Sequence, residues 1–255
     1  MAAASLSANA TFDITIDYTG DSQYQTYFNQ AESFWENIIT GYQAGSFLTG
    51  FTIAANIEYI DGAYGLLGSA GPTSGVLYGG YAMTTAGGMR FDSADMSAMA
   101  TSGSLGDVIR HEMGHVIGIG TWWEENGLYV SGSGQYTGAN GLAMYKTEFN
   151  KPSATYVPVE LGGGAGTAGG HWNEIDNGAG LTGVVDSQGR DMRNELMTGW
   201  LNAPTFISKT TVASLQDIGY TVNMNAVPEP ESMLLFAFGL PVLVGVARRR
   251  KAAAA

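Results

Sequence analysis

The chain has 255 residues, 45% of them hydrophobic, and a formal net charge of −12. That is enough apolar surface for a packed core, which excludes a disordered chain, and an acidic surface argues against nucleic acid as a partner. There are no cysteines, so disulfides, thiolate metal sites and cysteine nucleophiles are excluded together, while 37 glycines beside only 13% charged residues suggest long loops on a compact core.

In chain order, residues 1–10 end in Ala8-Asn9-Ala10, the small-x-small pattern of a signal-peptide cleavage site. They lack a basic start and an apolar run. They read as a signal-peptide remnant or as a disordered Ala/Ser leader. Residues 12–18 alternate apolar and polar, which predicts a strand. Over 21–40, Tyr24, Tyr27, Phe28, Ala31, Phe34, Trp35, Ile38 and Ile39 recur at spacings of three and four, one face of an amphipathic helix. A strand follows at 51–60, with a turn at Asp61-Gly62, and two shorter strands near 76–83 and 88–91. A helix is predicted at 105–117. Beyond Gly120 the chain is glycine-rich and irregular to about 203, and a last helix runs over 205–217, closed by Gly219. No internal repeat is visible. The layout is α+β: a twisted mixed sheet with one functional helix, then a loop-rich lower part ending in a helix. The body is a single domain over 11–225, its upper part reaching about 118 and its lower part covering 119–225.

The chemistry concentrates on the helix at 105–117, which carries His111-Glu112-Met113-Gly114-His115. Two histidines four apart lie on one face of a helix, one turn from each other. Their ring nitrogens can therefore reach one ion at the roughly 2.0–2.1 Å typical of zinc. Glu112, beside the first ligand, is placed to take a proton from water at the metal. Ser104 with Asp107 resembles a capping box at the helix start, and Gly118 suits its end. The bland alternative is a surface histidine pair with a salt-bridging glutamate.

A catalytic zinc takes three protein ligands and leaves one position open. The one histidine left is His171, which follows the glycine-rich run 162–170. Such a run can turn sharply and pass close to other backbone. Lacking a following Lys-Ser/Thr, it is not a phosphate-binding loop. A carboxylate from Glu124, Glu125, Glu148 or Glu174 is the competing third ligand. Trp122, Trp123 and Trp172 flank ligand positions and either line a cleft or belong to the core. Asp92, Asp95, Asp176, Asp186 and Asp191 offer oxygens for calcium, but no complete calcium-loop pattern is present.

His111-Glu112-x-x-His115-x-x-Gly118 is similar to the metzincin signature. Thr121 stands where the usual third histidine would fall. A long insertion before the third histidine resembles leishmanolysin-like peptidases. His171-Trp172-Asn173, Asn194-Glu195-Leu196-Met197 and the helix end Leu215-Gln216-Asp217-Ile218-Gly219-Tyr220 look like that family's third-ligand, Met-turn and C-terminal-helix regions. The resemblance covers roughly 87–222. It implies a metzincin-like fold, one catalytic zinc ion on His111, His115 and His171, Glu112 as general base, Met197 beneath the metal, and endopeptidase activity on protein or peptide substrates. The absence of cysteine departs from leishmanolysin, which is larger and rich in disulfides. Two alternatives remain: a zinc hydrolase with a glutamate third ligand, and a non-catalytic envelope or matrix protein that keeps a metal-bound fold.

The tail, 226–255, opens with Val227-Pro228-Glu229-Pro230-Glu231. An apolar run at 233–247 follows, then Arg248, Arg249, Arg250 and Lys251. The run is short against the roughly 20 residues that span a bilayer, yet with its basic end held inside it suits transient membrane association. The order resembles the PEP-CTERM sorting signal of Gram-negative bacteria. That resemblance implies export to the envelope or beyond and recognition by an exosortase.

Overall fold

A computed structural model describes residues 12–43 and 46–227. The leader at 1–10 and the tail from 228 onward lie outside the described residues. The chain divides into two compact units, Met1–Met224 and Asn225–Ala255. Among the described residues, no helix is long and apolar enough to cross a membrane.

The first unit is mixed α+β. Strand β1 (Asp13–Tyr18) leads through a 3-10 turn (Ser22–Tyr24) into helix α1 (Gln25–Ile38), and the short strand β2 (Ile39–Tyr42) follows directly. The predicted helix at 21–40 is thus shorter at both ends. Asp21 caps the 3-10 turn by accepting from the Gln23 N–H, and Ile39 turns extended, because the chain there pairs with a strand far downstream. Then come β3 (Gly50–Glu58), β4 (Gly68–Tyr78) and β5 (Tyr81–Asp92). The expected short strands near 76–83 and 88–91 are instead one long hairpin. Its turn, Gly79-Gly80, falls inside the first predicted strand, with both glycines at positive φ.

The main sheet has the order β1-β3-β5-β4. Its first three strands are parallel, and β4 runs antiparallel to β5 as an open edge. Along β3 the buried residues are Phe51, Ile53 and Ala55, the period of two that marks one covered face. That face is covered by α1, which buries Phe28, Ala31, Trp35 and Ile38, and by the helix Leu105–Ile117.

Two helices follow β5, α2 (Met96–Ser102) and α3 (Leu105–Ile117), joined at left-handed Gly103. The α2 segment is too short to carry a strong periodicity, and the sequence does not announce it. The remainder is mostly loop, as expected, but holds β6 (Gln135–Tyr136), α4 (Ala139–Glu148), β7 (Val157–Pro158), α5 (Lys209–Asp217) and β8 (Tyr220–Val222). Strand β8 pairs antiparallel with β2, so the first and last parts of the unit close on each other. Helix α5 starts later than the predicted 205, at an N-cap Ser208 whose hydroxyl accepts from the Thr211 N–H. Glu148 accepts from the Lys209 and Thr210 N–H groups, and Asp217 from those of Asn140 and Gly141. Helices α4 and α5 therefore satisfy each other's orphan N-terminal donors.

The loop at the expected Asp61-Gly62 turn is tied to the end of β5. The Asp92 carboxylate accepts from the N–H groups of Ala94, Asp61 and Gly62. Those donors hold its pKa down to about 2. The tie places the following residues, Gly65 to Gly68, beside α3.

Candidate metal centre

Helix α3 approaches the sheet where β5 has no side chain. A Cβ on Gly87 would collide with Val116, so glycine there sets the depth of the helix. Val108, Ile109, Met113, Val116 and Ile117 bury the inner face, and Trp35 of α1 donates its indole N–H to the Arg110 carbonyl at 2.9 Å. The expected capping box does not form. Ser104 is in the helical region and makes no side-chain cap bond, because Gly103 has already turned the chain tightly out of α2. Its hydroxyl meets Ser102 instead, and Asp107 pairs with Arg110. Gly118 does end the helix, at φ 129, a conformation that a side chain would strain.

Beyond it, Gly120 lies so close to the Gly170 carbonyl that no Cβ would fit. The turn after the helix and the glycine-rich run thus touch backbone to backbone, which brings His171 over α3. Its backbone is clamped on both sides: the Glu160 N–H donates to the His171 carbonyl at 2.9 Å, and the Trp172 N–H to the Met197 carbonyl at 3.0 Å.

The outcome is a triad of imidazoles. The Nε2 atoms of His111, His115 and His171 lie 3.0, 3.0 and 3.1 Å apart. Each Nδ1 faces a backbone carbonyl: Leu196 at 2.7 Å for His111, Ile119 at 2.9 Å for His115, and Thr167 at 2.8 Å for His171. A carbonyl only accepts, so each Nδ1 carries the proton and each Nε2 presents a lone pair. Burial keeps the rings neutral. It lowers the pKa of His111, lowers that of His115 well below its ordinary value, and brings His171 down to about 3. Three lone pairs converging at this distance cannot satisfy one another by hydrogen bonds, whereas one cation satisfies all three. Nitrogens about 2.0–2.1 Å from a shared tetrahedral ion sit about 3.4 Å apart, close to the spacing seen. The triad is the one group of three or more histidine or acidic side chains, among the described residues, arranged to hold a metal ion.

The competing carboxylates stand elsewhere. Glu124 and Glu125 are exposed, Glu148 caps α5, and Glu174 accepts from the Trp200 N–H. Of the acidic residues considered for calcium, Asp92, Asp186 and Asp191 accept several backbone N–H groups, Asp95 accepts from Tyr64 N–H, and Asp176 is exposed.

Glu112 is 7% exposed, and burial pushes its carboxyl up to about 8. It borders the same cavity as the three histidines, a cleft of about 810 Å³ also lined by Gly65 to Ala70 and by Gly199, Trp200 and Leu201. Gly68, at the start of edge strand β4, comes so near that a Cβ would lie 3.1 Å from Glu112 Oε1.

Met197 is fully buried and lies against α3 at Gly114, where a Cβ would come within 2.6 Å of its Sδ and 3.3 Å of Trp35. Gly114→Ala is therefore expected to destabilise the protein by about 1–3 kcal/mol through overpacking, against the roughly 1 kcal/mol that alanine gains over glycine in a helix. Denaturant unfolding measures the balance, and a variant more stable than the parent would mean that Met197 moves aside freely. The Met197 segment is anchored by Glu195, 1% exposed, which accepts from Met197 N–H, Ser208 N–H and both the Ser208 and Thr211 hydroxyls. Sequence reasoning misses this anchor, since its partners lie on and just before α5. It also misses Trp200. Trp123 and Trp172 are core residues with no exposure, and Trp122 donates to the Thr84 hydroxyl; none of the three lines the cleft.

Residues 226–251 match the PEP-CTERM protein-sorting motif. The protein is therefore exported to the cell envelope or extracellular space of a Gram-negative bacterium, and its tail is the element that the exosortase machinery recognises. No curated protein matches the chain.

Proposed function

We propose that this protein is a secreted zinc-dependent endopeptidase of the leishmanolysin-like metzincin type. The observation that carries the reading is the convergence of three neutral imidazole lone pairs beside a buried carboxyl in an open cleft. Nitrogen donors without thiolates suit zinc, and three protein ligands are the number found in catalytic sites. Each Nδ1–carbonyl bond fixes its ring, as outer partners of metal-bound histidines do.

Zinc, when bound, supplies a Lewis acid that polarises a carbonyl and acidifies water. The chain's own residues do the rest. Glu112, with its proton affinity raised by burial, accepts a proton from the attacking water and passes it to the leaving amine. The open edge of β4 at Gly68 to Ala70 offers main-chain groups to an extended peptide, as an added strand would use them. Met197 packs against α3 at Gly114 without reaching the cleft, and Trp200 and Leu201 line the cleft itself.

The test uses the full chain. One zinc per molecule, with cleavage of internal bonds in a mixed peptide library that stops on chelation and returns with zinc, is the expected result. Zinc without cleavage would favour a metal-bound envelope or matrix protein, and no zinc would overturn the reading.

A further inference from the structure

Four arginines lie among the described residues, and three are paired with acids: Arg90 with Glu58, Arg110 with Asp107, and Arg190 with Asp186. Arg193 is different. Its Nε donates to the Gly178 carbonyl at 2.7 Å and its Nη2 to Asn202 Oδ1 at 3.0 Å, both uncharged, and it forms none of the ion pairs found among the described residues. It lines a second cavity of about 530 Å³ that shares Gly65, Leu67, Trp200 and Leu201 with the metal cleft. No other lysine or arginine lines either cavity.

A cation without an ion pair in so acidic a chain asks for an anion. The bonds to Gly178 and Asn202 use part of a five-donor fork and fix its plane, which leaves further N–H donors for a carboxylate. The nearby acids are already engaged. Asp191 accepts from Thr182, Gly183 and the Arg193 backbone, and Glu174 from Trp200 and Asn202. Burial raises the Glu174 carboxyl to about 7 against hydrogen bonds from Thr198 and Trp200 and a weaker pull from Arg193, so its charge resists an incoming anion only in part near neutral pH. Across the same cavity stands Tyr64, 91% exposed and held at φ 68. Its N–H bonds to Asp95, which keeps an aromatic ring at the rim despite left-handed backbone.

We infer that this second cavity is a subsite for a peptide carboxylate, bound by Arg193, beside the scissile bond. The inference rests on the peptidase reading of the cleft. The carboxylate belongs either to an Asp or Glu side chain or to the substrate's own C-terminus.

The test measures binding of fluorescent peptides to the zinc-loaded, full-length Glu112→Gln protein, so that it is read without turnover. One peptide set scans Glu against Gln at each position, and a second compares a free C-terminal carboxylate with its amide. The expected result is binding about tenfold tighter for the acid form in one of the two sets, which identifies the source. That ratio should fall to within about twofold in Arg193→Gln and be partly retained in Arg193→Lys, which keeps the charge but loses the fork. Equal binding of acid and neutral forms in both sets, or no peptide binding at all, overturns the inference, whether or not the Arg193 variants fold. Discrimination in binding without any cleavage by the parent protein would sink the peptidase reading and leave the subsite standing. Cleavage without discrimination would do the reverse.

Discussion

Glu112→Gln is expected to keep its zinc and lose peptide hydrolysis by about 10²–10⁴-fold, the usual contribution of a positioned acid–base group. Glutamine has nearly the same shape as glutamate, so the packing against Gly68 at β4 is preserved. What disappears is the ability to accept a proton. Burial raises the proton affinity of Glu112 by disfavouring its charged form, and glutamine has no charged form to desolvate, so stability should be unchanged or slightly higher. Metal content by atomic absorption, thermal melting and turnover of one peptide separate these effects. Turnover equal to the parent's would remove Glu112 from the mechanism and favour a scaffold role for the metal.

His171→Ala should act on the metal itself. Loss of an outer partner typically costs about 10–100-fold in metal affinity, and loss of a direct ligand should exceed that. His111 and His115 would remain on α3 with their Nδ1 protons still on Leu196 and Ile119. Glu174→Ala provides the contrast: it removes bonds to Trp200 and Asn202 without touching the triad. Zinc titration of both variants reads the third ligand directly. Zinc held as tightly in His171→Ala as in the parent, and lost in Glu174→Ala, would reverse the assignment.

Elements with local signals are largely legible in the amino-acid sequence. The spacing of three and four in α1, the alternation in β1 and β3, and the glycine end of α3 at Gly118 depend on neighbours within one or two turns. Elements defined by distant partners are not legible in this way. Strands β2 and β8 exist because they pair with each other, and neither is long enough to show a pattern. The β4–β5 turn escapes a local reading because Gly79-Gly80 competes with a chain already full of glycine. The capping box fails at Ser104 for a similar reason: its outcome is set by the preceding helix, not by the four residues of the motif.

The same division runs through the metal centre. The sequence by itself determined that two histidines share one face of a helix beside a carboxyl, because a spacing of four on a helix is a local geometric fact. It also determined the exported destination, since a sorting signal is read as linear sequence. Only the tertiary structure decided which group joins them. His171 reaches the pair through the approach of Gly120 to Gly170 and through backbone clamps from Glu160 and Met197, contacts between segments that no periodicity connects. It likewise decided that Trp123 and Trp172 are core, that Trp200 is wall, and that Arg193 stands beside the cleft without an ion pair. Those outcomes depend on which surfaces the loops bury, and burial is a property of the packed chain rather than of any one segment.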